Sequence, residues 1–209
     1  MNRFFWKARN SLAFKVIIST VILSLGIVWI TGSALNSRLS SGIRDVNLNS
    51  AIVEARSTIF TADYRFLLAQ GEKDSIVQKV VDDVISSATT ITSNENTREV
   101  VFVRSPGNSM INNYEIASNL LDPATIPLSL SERVRKSNDI VWEYTNMRYL
   151  QGISVSGLAI GQKVQIPNAG QYEMYIVFSL ANEEKTLNLI DTYLLFAGLI
   201  LVLLISLIT

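Results

Sequence analysis

The sequence of 209 residues contains no cysteine and no histidine. Without them the chain can form no disulfide bond, no Cys/His zinc site, no His-ligated haem and no Ser-His-Asp triad. Thiol nucleophiles are excluded as well, so carboxylate, hydroxyl, lysine and tyrosine chemistry remains. Surplus charge is also missing, because 18 basic residues balance 18 acidic ones. A net charge of zero argues against nucleic-acid binding along the whole chain.

Apolar residues are concentrated in two uncharged runs near the ends of the sequence. The first, 16–37, has 22 residues, and the second, 192–209, has 18. A helix of the first length covers about 33 Å, and the hydrocarbon core of a bilayer is about 30 Å thick. The pattern predicts two transmembrane helices, 16–37 and 192–209. The second is expected to be truncated, because no polar anchor follows it.

The distribution of charge predicts an orientation for these helices. The first 15 residues carry four basic residues and no acidic one, and the rest of the chain has a formal net charge of −4. The positive-inside rule then makes 1–15 a cytoplasmic basic tail and 38–191 an extracytoplasmic domain of a two-pass cell-membrane protein. A cleaved signal peptide, with Gly32-Ser33-Ala34 as the cleavage site, remains the alternative.

The segment after the first run predicts a long helix that ends near Gly71. Large apolar residues recur in it every seven positions, and a second apolar line runs beside them. One interpretation is a homodimer seam along the first line, and the other is packing of the helix on the domain's own sheet. The seam residues are Leu39, Ile43, Val46 and Val53, and the second line is Ile52, Ile59 and Phe66.

The rest of the central segment mixes helices and strands. An amphipathic helix is predicted after Asp74 and a short one after Ser129, and strands are predicted over 100–103, 140–145, 157–166 and 172–180. A last helix is predicted from Asn182 into the second apolar run. The fold class is therefore α+β, with two flanking transmembrane helices, a long N-terminal helix and a mostly antiparallel, PAS/PDC-like sheet.

No catalytic, cofactor-binding or metal-binding group of residues is predicted. The adjacent acids Asp82-Asp83 and Glu183-Glu184 lie on helices, where neighbouring side chains point about 100° apart and so do not share a site. Glycine-rich phosphate-binding motifs are absent from the sequence. Aromatic and arginine residues recur at binding surfaces, and they give one candidate ligand or interaction surface. Its residues are Arg104, Trp142, Tyr144, Arg148 and Tyr149, with a strand whose aromatics belong to the core as the alternative.

Several segments resemble the sensor region of MtrB-type actinobacterial sensor histidine kinases. They are the runs 156–161 and 172–180, the polar 182–187 segment and the apolar run around Gly198. Further upstream, the pairs 126–127 and 133–134 and the triplet 54–56 are also similar. The resemblance extends over most of the chain and is firmest over 152–209.

The resemblance implies the input region of a homodimeric membrane kinase that relays an envelope or osmotic cue. ATP and Mg would bind the kinase region of the parent, whose phosphoacceptor histidine cannot lie in this chain. The implied partners are an MtrA-like response regulator, phosphorylated on Asp, and an LpqB-like lipoprotein. Alternatives are an extracytoplasmic loop domain of an ABC-type permease or other bitopic interaction protein, or the input region of a chemoreceptor or cyclase.

Overall fold

A computed structural model describes residues 12–92, 96–108, 121–149, 152 and 154–208 of the chain. The chain divides into two compact units. One comprises Val46–Glu183 and contains the sheet. The other comprises Met1–Asp45 and Glu184–Thr209 and is helical where it is described. Residues 1–11 of the predicted basic tail lie outside the described residues.

Four α-helices are described. The first, α1, is 57 residues long and spans Leu12–Leu68. After a turn through Gly71, α2 spans Asp74–Ala88. The short helix α3 spans Leu128–Lys136 and follows a 3-10 turn at Pro123–Thr125. The last helix, α4, spans Ala181–Ile208.

Five strands form one sheet in which every paired strand is antiparallel. The strands are β1 (Thr90–Thr92), β2 (Asn96–Arg104), β3 (Val141–Arg148), β4 (Ser154–Ile166) and β5 (Gly170–Ser179). Their order across the sheet is β1-β2-β5-β4-β3. This arrangement confirms a mixed helix and sheet fold with a long N-terminal helix and an antiparallel sheet. The likeness to PAS/PDC sheets stays a prediction.

One face of the sheet is covered by α1 and α2. The residues of α1 that contact it include three alanines, which allow the helix backbone to approach the strands closely, together with Ile59 and Phe66. From α2, Val77, Val81 and Val84 complete this apolar layer. The predicted line Ile52, Ile59 and Phe66 therefore packs on the domain's own sheet. The three alanines are Ala51, Ala55 and Ala62, and Ala69 joins the same core directly after the helix.

The opposite face of the sheet is covered by α3. Leu130 and Val134 of this helix pack against Tyr175 and Val177 of β5 in a second, smaller core. Gly161 of β4 makes room for this packing, because a Cβ there would lie 2.6 Å from the ring of Tyr175. Since both faces are covered, β5 is buried along almost its whole length.

Among the described residues, no helix has a stretch both long and apolar enough to cross a membrane. This finding overturns the prediction of transmembrane helices at 16–37 and 192–209 and of a two-pass cell-membrane location with an extracytoplasmic domain. A spanning helix needs about 20 consecutive, mainly apolar residues. Hydroxyl side chains interrupt the described parts of the runs, and those of Ser19, Thr20 and Thr192 donate to helix carbonyls.

Candidate functional site

The aromatic and arginine residues that the sequence suggested as a surface do not form one group. Trp142 and Tyr144 alternate on β3 and contact each other edge to face, with ring centroids 5.6 Å apart. Tyr149 instead packs against the core under α3 and shares a 2.9 Å hydrogen bond with the Thr97 hydroxyl. Burial raises the pKa of the Tyr149 hydroxyl.

Arg104 is separated from this edge of the sheet. It lies at the end of β2, opposite Tyr172 of β5, and both β5 and β4 lie between β2 and β3. Arg148 is exposed at the end of β3. The predicted surface is therefore divided between two faces and two edges of the sheet, and a shared ligand for all five residues has no geometric support.

The described residues of the predicted dimer seam are solvent-exposed on α1. Val46 is 65% exposed and Val53 is 70% exposed, whereas Ile59 on the neighbouring line is 1% exposed. The side chains of Leu39 and Ile43 lie outside the described residues. One face of α1 thus packs on the sheet, and a different face, which carries the seam residues, is exposed. Pairing of two chains along the seam stays a prediction.

A polar cleft lies where the chain enters and leaves the Val46–Glu183 unit, and we call it the junction cleft. It has a volume of about 300 Å³. Its polar lining comes from α1, β2, the end of β5 and the first turn of α4. These polar residues are Asn47, Ser50, Glu54, Thr97, Arg98, Ser179 and Glu183.

Hydrogen bonds join the elements that surround the junction cleft. The Asn47 amide donates to Glu183 Oε1 over 3.1 Å, which links α1 to the start of α4 across 136 residues of sequence. Arg98 forms a salt bridge with Glu54 and also donates to the carbonyl oxygen of Ala88. A single side chain of β2 therefore holds both α1 and the end of α2.

Glu183 is incompletely satisfied in this cleft. Its second carboxylate oxygen, Oε2, is buried and has no hydrogen-bond partner among the described residues. A buried acceptor without a donor costs about 1–3 kcal/mol relative to a bonded one. A rearrangement or a ligand that supplies a hydrogen-bond donor to Glu183 Oε2 therefore stabilises the cleft.

A second polar group lies beneath α3, on the other face of the sheet. Glu173 of β5 is completely buried and accepts hydrogen bonds from Ser131, Arg135 and Tyr175, at 2.9, 2.7 and 2.6 Å. The bond to Glu173 raises the pKa of Arg135, while burial and the Glu173 contact raise the pKa of Tyr175. The network fixes α3 on the sheet and leaves no open space for a substrate to reach the carboxylate.

Sequence reasoning missed both polar groups. Glu173 lies in the strand predicted over 172–180, and Glu183 lies on the helix predicted from Asn182, but the sequence assigns neither residue to a site. Their partners are distant in sequence, 42 residues away for Ser131 and 136 for Asn47. Local periodicity contains no signal for such pairs.

Comparisons with known proteins leave the site to be interpreted from its own geometry. No protein-family model matches the chain. No curated protein matches it either. The described residues also contain no group of three or more Asp or Glu side chains placed to hold a metal ion.

Proposed function

We propose that this chain is the signal-input region of a two-component sensor histidine kinase. In this proposal a change in the Val46–Glu183 unit alters α1 and α4, through which the chain enters and leaves it. The observation that carries the proposal is the hydrogen bond between Asn47 and Glu183, because it places these two points side by side. The resemblance of 152–209 to sensor kinases supplies the class of parent protein.

The physical basis is that helices move as stiff elements. Both α1 and α4 continue past the Val46–Glu183 unit, so a displacement at Asn47 or Glu183 is carried along a helix. Signalling transitions commonly use helix shifts of about 1–2 Å between two discrete arrangements. A second arrangement of the junction cleft that supplies a donor to the unsatisfied Glu183 oxygen is stabilised by the new hydrogen bond.

The remaining parts of the proposed mechanism belong to the parent protein. ATP and Mg bind its kinase region, which phosphorylates an aspartate of an MtrA-like response regulator. Two input regions pair along Leu39, Ile43, Val46 and Val53, so that a shift of one helix displaces the paired helix of the other chain. An LpqB-like lipoprotein is the proposed protein partner of the Val46–Glu183 unit.

The first test is the coding sequence that follows Thr209. A helix with a phosphoacceptor histidine and an ATP-binding domain is expected there. A coding sequence without a kinase region would remove the proposal.

The second test measures autophosphorylation of the parent kinase. Asn47→Ala and Glu183→Gln are expected to change the rate about five-fold or more, since a coupling of 1 kcal/mol or above is typical between linked sites. Asn49→Ala and Glu184→Gln are the matched controls, because Asn49 and Glu184 are the same residue types, exposed, and one or two positions away. Equal rates in all four variants would contradict a signalling role for the junction.

A further inference from the structure

A second cavity lies at an edge of the sheet that none of the described strands covers, and we call it the edge cavity. Pairing between β3 and β4 runs from Arg148 opposite Ser154 to Val141 opposite Gly161. Past Gly161, β4 continues to Ile166 with β5 as its one partner among the described strands. The space beside this uncovered segment is bounded by α1 and has a volume of about 600 Å³. That volume is within the usual range of small-molecule sites, about 300–1,000 Å³.

The polar lining of the edge cavity is dominated by neutral amides. A carboxamide both donates and accepts hydrogen bonds, as a hydroxyl group does. One acidic residue, Asp63, and one basic residue, Lys163, also line the cavity, so the formal charge of the lining is zero. The ammonium group of Lys163 donates to the carbonyl oxygen of Arg135 over 3.4 Å. A balanced lining favours a neutral polar ligand over an ion. The four amides are those of Gln70, Asn138, Gln165 and Gln171.

Two aromatic rings of α1 form the apolar side of the cavity. Phe60 is 72% exposed and Tyr64, one helical turn further on, is 55% exposed. Rings exposed to this extent contribute little to the core, and leaving them in water is unfavourable. They offer flat surfaces on which the C–H face of a sugar ring can stack.

Asp63 is the polar group of the cavity most in need of a donor. Its carboxylate has no hydrogen bond within the described part of the chain, although the residue is partly buried. Burial raises the pKa of this carboxyl above its ordinary value. A ligand hydroxyl that donates to Asp63 restores the hydrogen bonding that burial has removed.

We propose that the edge cavity binds a neutral sugar, a mono- or disaccharide, which stacks on Phe60 and Tyr64 and bonds to Asp63 and the surrounding amides. This inference goes beyond the proposed function, because sugar binding is a property of the chain whether or not a kinase follows it. It also differs from the sequence-based surface, since none of Arg104, Trp142, Tyr144, Arg148 and Tyr149 lines the cavity.

The test is titration calorimetry of the whole chain with glucose, galactose, N-acetylglucosamine and trehalose at millimolar concentrations. At least one is expected to bind. Phe60→Leu is expected to weaken that binding about five-fold by removing the stacking surface, and Asp63→Asn about ten-fold by removing a charge-assisted hydrogen bond. Both side chains lie at the surface or partly so, which allows both variants to fold.

Matched controls separate the edge cavity from other parts of the molecule. Tyr144→Leu removes an exposed aromatic ring from β3, and Asp83→Asn removes an exposed carboxylate from α2. Neither is expected to change the affinity.

The proposal is overturned if none of the four sugars binds, or if the controls weaken binding as much as the cavity variants. It is also overturned if L-glutamine binds and the sugars do not, because a zwitterion would then be the ligand of Asp63 and Lys163. A kinase region after Thr209 is unaffected by any of these results, so the two proposals fail separately.

Discussion

On one face of the sheet, α1 and α2 pack through alanine, valine, isoleucine and phenylalanine, whereas on the other face α3 is held largely by carboxylates. Glu173 bonds to Ser131 and Arg135 of α3, and Glu143 of β3 bonds to Ser129 and Arg133. The first face depends on close packing, which is insensitive to charge. The second depends on groups whose protonation and pairing matter.

The difference follows from the lengths of the covering helices. Within the Val46–Glu183 unit, α1 presents several apolar turns to the strands between Ala51 and Phe66, and its alanines bring the two backbones together. With nine residues, α3 buries two apolar side chains, Leu130 and Val134. A helix this short gains little from apolar burial, so directional bonds have to fix its position. We therefore expect the two faces to respond to different substitutions.

The largest effect is expected from Phe66→Ala on the apolar face. Phe66 is 1% exposed, and its ring meets that of Phe102 edge to face at 6.2 Å. Truncation removes apolar burial and leaves a cavity, which costs about 3–5 kcal/mol in the free energy of unfolding. Urea denaturation followed by circular dichroism measures this change.

Phe60→Ala is the matched control on the same helix. Phe60 is 72% exposed, so the same truncation there is expected to change the free energy of unfolding by less than about 0.5 kcal/mol. Similar losses in the two variants would mean that α1 does not pack on the sheet as described.

A smaller effect is expected from Glu173→Gln on the polar face. The substitution leaves Arg135 without its carboxylate and gives Ser131 and Tyr175 a weaker acceptor. Breaking one side of a buried ion pair costs about 3 kcal/mol, and here the cost is lower because Arg135 is 39% exposed and can reach water. We expect a loss of about 2 kcal/mol.

Glu143→Gln tests how much the exposed salt bridge between Arg133 and Glu143 contributes to holding α3 on the sheet. Arg133 and Glu143 are 49% and 33% exposed, so their salt bridge is expected to contribute about 0.5 kcal/mol. A loss at Glu143 as large as that at Glu173 would show that burial does not distinguish the two carboxylates.

Much of the fold was accessible from the sequence. The heptad line and its neighbour on α1 are distinct faces in the structure. The predicted strands 100–103 and 157–166 lie within β2 and β4, whereas 140–145 begins one residue before β3 and 172–180 ends one residue after β5. Alternation in β5 identified Tyr172, Met174 and Ile176 as one core face. These features depend on residues close together in the chain, which local periodicity reports.

The parts that failed depend on distant partners. Ser129 has capping-box spacing with Glu132, yet α3 begins at Leu128 after Pro127 and Ser129 donates to Glu143. The sequence pattern around Glu173 does not reveal that α3 covers this side chain. The apolar runs predicted spanning helices that the described residues do not contain. Tyr149 is separated from Trp142 and Tyr144 because successive residues of an extended chain point to opposite faces, and Arg104 is separated because β5 and β4 lie between its strand and β3.

Two tyrosines of β5 that lie on opposite faces allow the comparison to be made at single hydroxyl groups. Tyr175 donates to Glu173, whereas the Tyr172 hydroxyl is buried without a partner among the described residues. Tyr175→Phe removes a hydrogen bond and is expected to cost about 1 kcal/mol, while Tyr172→Phe removes an unsatisfied hydroxyl and should be neutral or slightly stabilising. Thermal unfolding at pH 7 measures both, and an equal cost for the two variants would contradict the different hydrogen bonding.

Alkaline pH provides a second readout for the same pair. Burial raises the pKa of both hydroxyls above the ordinary tyrosine value of 10.0. Above pH 10.0 the unfolded chain loses these protons first, so the folded state binds more protons and stability falls as pH rises. The fall should be shallower in Tyr175→Phe than in Tyr172→Phe, because the Glu173 charge adds to burial in raising the Tyr175 pKa while Arg104 opposes it at Tyr172. If stability falls equally steeply with pH in both variants, the two hydroxyls have equally raised pKa values. The two faces would then not differ in their electrostatics.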